Sequence, residues 1–147
     1  MSERRKRRCL NRAQGGYKLG FGAYLNLLPK EPFRVFFPLG VVAGVVGVSL
    51  WPLFYARALV MYPAVAHSRM MICGFVAAFA IGFLGTAVPK MLDAPRLIPG
   101  ELLALIVLYC ASVSAFLAGA TIAGDTLFLG LLLAFALVLG MRFVKGR

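Results

Sequence analysis

Four stretches of this chain run for close to twenty residues without a formal charge: 35–54, 70–88, 102–123 and 126–141. This constrains the fold more than any other feature. A helix crosses a ~30 Å hydrocarbon core with about 20 mostly apolar residues. Backbone N–H and C=O groups in lipid find no water, so each run must close its own hydrogen bonds as an α-helix. Segments of alternating polarity, which a barrel would need, are absent. The expectation is an all-α integral membrane protein with four transmembrane helices and a basic cytoplasmic N-terminal tail. The spans are expected near 35–54, 63–88, 102–123 and 126–144. The second starts early because Pro63 is tolerated at a first helical position. The chain is 61% hydrophobic, against about 45–50% for soluble domains.

The charges are gathered at a few places. Of the sixteen Lys and Arg, nine precede Val35: Arg4, Arg5, Lys6, Arg7, Arg8, Arg12, Lys18, Lys30 and Arg34. Residues 1–34 therefore read as a basic cytoplasmic and interfacial tail, ahead of a membrane domain at 35–147. Arg4, Arg5, Lys6, Arg7, Arg8, Lys30 and Arg34 are expected to lie against anionic lipid. Basic tails also bind nucleic acid, but next to four membrane runs the lipid reading takes precedence. The first apolar run begins too far along for a signal peptide, with no cleavage site of small residues behind it. Lys90, Arg96, Arg142, Lys145 and Arg147 fall on the same side as the tail if there are four spans, leaving Arg57 and Arg69 opposite. The positive-inside rule then predicts both termini in the cytoplasm of a bacterial inner membrane. Gly124-Asp125 is expected to form a tight hairpin, with Asp125 capping the fourth helix. Arg142 and Lys145 are expected to snorkel to the interface.

The candidate chemistry is sparse. The single histidine, His67, stands at the mouth of the second span beside Met70 and Met71. His67 and Met71 are four residues apart, one helical turn, so both can face one ligand. Imidazole and thioether together suit Cu(I), and His with Met ligates haem iron. The competing reading is an interfacial histidine bonded to a neighbouring backbone, above two core methionines. One histidine does not complete most metal sites, so further ligands would come from another chain or from the cofactor. Three cysteines without repeated spacing indicate neither a disulfide framework nor a zinc site. No nucleophile–base arrangement and no phosphate loop is present. No charge lies deep in a span to relay protons or ions.

Small residues supply the remaining pattern. At 100° per residue, Gly74, Ala78 and Gly85 continue the face of His67 and Met71, with Gly82 about 60° away. Gly40, Gly44 and Gly47 form a matching stripe on the first span that ends at Trp51. Such stripes let two helix backbones approach closely. An antiparallel pair packed through them is expected to bring Trp51 to the level of His67.

The segments EPFRVFFPLG (residues 31–40) and HSRMMICGFVAAFAIGFLGTAVPKML (residues 67–92) together resemble the NnrS family. These are bacterial membrane proteins described as containing haem and copper and linked to nitric oxide stress and denitrification. The resemblance rests on Glu31-Pro32-Phe33-Arg34, His67, Gly74-Phe75 and the run from Ile81 to Pro89. It implies a polytopic membrane fold and a haem or copper ligand at His67, with Met71 beside it. Many members carry a second histidine and a glutamate where this chain has Arg69 and Met70. Members are also usually longer, with more spans and more histidines. The resemblance thus implies either a short haem- or copper-binding relative or a non-catalytic accessory subunit. Either would sit in the bilayer with other membrane subunits or further copies of itself.

Overall fold

The computed structural model describes residues 31–145. The uncharged runs become helices α1 (Phe33–Tyr55), α2 (Ala64–Met91), α3 (Pro99–Leu117) and α4 (Thr121–Lys145). All four are long and apolar enough to cross a membrane. Among the described residues there is no strand. The chain is an all-α membrane protein with four spanning helices. Arg4, Arg5, Lys6, Arg7, Arg8 and Lys30 lie outside the described residues. Arg34 sits in the first turn of α1 and pairs with Glu31.

Three helices end in the same way. After α1, Arg57 takes φ 59°, its N–H bonds Phe54 O, and Ala58 N–H reaches back to Leu53 O. After α3, Gly119 takes φ 78°, its N–H bonds Phe116 O, and Ala120 N–H reaches Ala115 O. After α2, Asp93 takes φ 47° while Ala94 N–H bonds Pro89 O. This closure satisfies carbonyls that the end of a helix leaves without partners, and it requires a left-handed residue just past the cap.

The α3–α4 turn is therefore residues 118–120, which corrects the expected hairpin at Gly124-Asp125. The third helix stops at Leu117 instead of near 123, and the fourth starts at Thr121 instead of near 126. Asp125 lies inside α4 and caps nothing. Gly124 is needed for a different reason. A Cβ on it would fall 2.4 Å from the Phe116 ring, so the glycine lets the two helices close on that ring.

The second helix is not uniformly α. Residues Met70–Val76 form a π segment, in which Ala77 N–H bonds Ile72 O, five residues back. Widening the ladder frees acceptor capacity. Tyr109 of α3, buried in the core, donates its hydroxyl to Gly74 O of this segment at 3.0 Å.

The helices run antiparallel in sequence order, so the start of α1 and the end of α4 share one end of the bundle. The main core joins Phe36, Ile81, Leu105, Tyr109, Leu131 and Phe135 across all four helices. A smaller cluster of Ala43, Met70 and Phe116 lies toward the opposite end. Valines and leucines on the outer faces are exposed in the protein alone, as lipid-facing side chains are.

Arg142 also departs from its expected position. It does not snorkel outward but is buried, 5% exposed. Its guanidinium donates to Pro95 O (2.9 Å), Val138 O (2.8 Å) and Arg96 O (3.2 Å), and it pairs with Glu101. Glu101 in turn accepts the Ile98 N–H at the start of α3. The loop at 92–98 carries carbonyls that no helix satisfies, and a buried C=O needs a donor. The arginine supplies it.

Candidate functional site

The site is built where α1 ends and α2 begins. Gly47 of α1 packs directly on the first turns of α2. A Cβ there would meet Met70 Cβ at 3.0 Å and Met71 Sδ at 3.3 Å. Because that space is open, the His67 ring reaches the α1 backbone, and its Nδ1 lies 2.8 Å from Gly47 O. A carbonyl oxygen only accepts, so Nδ1 carries the proton in this bond. Among the described residues, Nε2 has no hydrogen-bond partner. The Trp51 ring meets the imidazole edge to face at 5.9 Å between centroids. Trp51 also contacts Tyr55 and Tyr62, forming an aromatic group of the kind that settles at a membrane interface.

The two methionines part company. Met71 turns to the α1–α2 groove, an apolar cavity of about 420 Å³ that it lines with Val45, Val48, Ser49 and Phe75. Met70 is fully buried on the other side, against Ala43 and Phe116. His67 and Met71 both meet Gly47; Met70 touches it through Cβ and otherwise belongs to the core.

The glycine stripes occupy the same helix pair. Gly40 faces Ala78 and Phe79, Gly44 faces the Phe75 ring, and Gly74 faces Ala43. Gly82 lies against Phe33 and Phe36, and Gly85 against Pro32 and Phe135. The closest of these approaches is at Gly44, where a Cβ would stand 2.7 Å from Phe75.

On the opposite side of α2, Arg69 makes a two-point ion pair with Asp125 of α4. Nε donates to Oδ1 at 2.9 Å and Nη2 to Oδ2 at 2.6 Å. Its guanidinium also lies 5.8 Å from the centre of the Phe116 ring. Periodicity alone did not pair these residues. A scarcity argument points to them, since the chain has five acidic residues and Asp125 is the one that four antiparallel spans bring to the end carrying Arg69.

Chemically, the arrangement offers one imidazole nitrogen and, against the same glycine, one thioether. Among the described residues, no three His, Cys, Asp or Glu side chains gather closely enough to hold a metal ion. The donor types suit copper(I) or haem iron. One imidazole and one thioether do not by themselves fill the coordination sphere of either metal.

Comparison with known proteins agrees with the motif reading. No curated protein and no solved structure matches the chain. The family model described as NnrS protein matches residues 28–147, which takes in all four helices and the His67 site. The chain belongs to the NnrS family.

Proposed function

We propose that this protein is a short NnrS-type membrane protein that contributes His67 as a ligand to haem iron or copper, within nitric oxide or respiratory metabolism. The observation that carries the reading is the bond from His67 Nδ1 to Gly47 O. A metal-ligating histidine almost always donates its second ring nitrogen to a carbonyl or carboxylate, which fixes the ring and raises the basicity of the other nitrogen. Met71 faces the same glycine and is the second ligand of this reading. A metal centre held there would supply diatomic-ligand binding and one-electron chemistry. The chain itself supplies the imidazole, its orientation and an apolar surround. We place the protein in a bacterial inner membrane with both termini cytoplasmic, because among the described residues Arg34, Lys90, Arg96 and Arg142 lie at the end of the bundle away from His67.

A second reading is favoured by the incomplete ligand set. As an accessory subunit, the chain would pack into a larger membrane assembly and have no cofactor of its own. Purification in mild detergent separates the two. The expected result is a haem Soret band, or stoichiometric copper by metal analysis, that is lost in His67→Ala. A colourless, metal-free protein held in a stable hetero-complex overturns the first reading in favour of the second.

A further inference from the structure

We propose that Gly47 is a positioning residue: its carbonyl selects the Nδ1–H tautomer of His67 and reserves Nε2 as the ligating nitrogen. The proposal rests on the ligand reading above and adds which atom binds and what sets it. Three observations converge on it. The first is the 2.8 Å contact from Nδ1 to Gly47 O, which requires a proton on Nδ1. The second is the missing side chain. A Cβ at position 47 would stand 3.0 Å from Met70 Cβ and 3.3 Å from Met71 Sδ, so any larger residue there pushes α2 away and lengthens that contact. The third is Pro52 within α1. It has no N–H, so the carbonyl four residues back, on Val48, loses its helical donor, and the Pro ring presses on that carbonyl. That leaves a helical carbonyl without its donor next to the one His67 bonds. Trp51, one turn beyond Gly47, meets the imidazole edge to face and limits its rotation.

In water the free imidazole exchanges its proton between both nitrogens, so either can bind a metal. Here the backbone removes that choice. Nδ1 is committed to α1, so in the neutral ring the lone pair is on Nε2. Gly47 therefore does more than close the helix pair, and its role differs from that of Gly40. A Cβ on Gly40 would also meet neighbours at 3.0 Å, but these are Ala78 and Phe79, far from any ligand.

The chain has one histidine, so ring-¹⁵N histidine labelling of the full protein in nanodiscs gives a single pair of imidazole nitrogen signals. With the imidazole in its neutral form, the expected spectrum has a protonated Nδ1 and an unprotonated Nε2. Addition of Ag(I), a diamagnetic stand-in for Cu(I), is expected to shift Nε2 and leave the Nδ1 proton in place. Gly47→Ala is expected to restore Nε2–H character, and Gly40→Ala, with similar crowding, is expected to leave the tautomer unchanged. An Nε2–H spectrum in the unaltered protein overturns the proposal, as does a tautomer indifferent to Gly47→Ala. A locked Nδ1–H tautomer whose Nε2 ignores both Ag(I) and hemin overturns instead the ligand reading beneath it. If Gly47→Ala does not assemble, Trp51→Leu serves in its place, with partial loss of the lock expected.

Discussion

The two ends of the bundle each hold an arginine–carboxylate pair, and the pairs are built on different principles. At the His67 end, Arg69 and Asp125 meet side chain to side chain, and both stay partly open, 30% and 48% exposed. At the other end, the side chains of Arg142 and Glu101 are 6% and 20% exposed. There the guanidinium also holds three backbone carbonyls, two of them from the 92–98 loop. One pair links two helices across a surface. The other is the internal scaffold of a loop that has no helix to satisfy it. A charge in a membrane helix is costly unless it is paired or reaches water. This chain uses one solution at each end.

The largest effect is expected where the charge is buried. Removing one partner of a buried pair leaves the other uncompensated, at about 3–5 kcal/mol. Arg142→Met also strands the Pro95 and Arg96 carbonyls. We expect it to lower resistance to denaturing detergent by about that amount and to release the 92–98 loop to proteolysis. Arg142→Lys should recover little, because a single ammonium cannot reproduce a planar fork spread over four acceptors. Wild-type stability in Arg142→Met would mean that the buried pair is not an anchor.

A second contrast lies within α4. Gly124→Leu would drive a side chain into the Phe116 ring and push α4 off α3, at a cost of about 1–3 kcal/mol. The shift also separates Asp125 from Arg69. At Gly130 and Gly140 a Cβ would meet nothing within 4 Å. Gly130→Ala should therefore be neutral or stabilise the helix by up to about 1 kcal/mol. Equal effects at positions 124 and 130 would show that the approach to Phe116 does not explain Gly124. Melting curves of the three proteins in one detergent decide it.

These contrasts also mark what was legible in the sequence. The four helices were, because lipid demands unbroken apolar runs and this chain has four. The turn between α3 and α4 was not. Gly119 and Gly124 are both plausible helix enders, and hydropathy is flat across them. Only the Phe116 ring, brought in from the partner helix, assigns Gly124 to packing and leaves Gly119 to the left-handed closure. The split between Met70 and Met71 was hidden for a related reason. A wheel separates the two by about 100°, but which of them meets the core depends on where Phe116 of α3 packs. His67 was visible as a candidate from its type and place. The acceptor of its Nδ1 proton was not, because a backbone carbonyl leaves no trace in the side-chain pattern. Arg142 misled because snorkelling considers the membrane alone, whereas the loop carbonyls at 95 and 96 competed for the same guanidinium.

The smallest effect is expected at Arg69–Asp125, and it tests whether the open pair orders the His67 end or merely decorates it. Arg69 lies two residues after His67 on the first turns of α2, and Asp125 anchors that turn to α4. Exposed pairs are weak because water and salt screen them. Arg69→Ala and Asp125→Ala should each shift the detergent melt less than Gly124→Leu does, and the double variant should fall short of their sum. Exchanging the charges, Arg69→Asp with Asp125→Arg, should recover part of the loss. Salt is the sharper probe. Raising ionic strength should erase the difference between the Arg69→Ala variant and the parent, yet leave the Arg142→Met defect in place, since its partners are shielded from solvent ions. If salt relieves both defects alike, the two ends share the same dielectric surroundings and the buried pair is no different in kind from the open one. If salt relieves neither, the Arg69 defect comes from lost packing on Phe116, and the ring contact, not the carboxylate, ties α2 to α4.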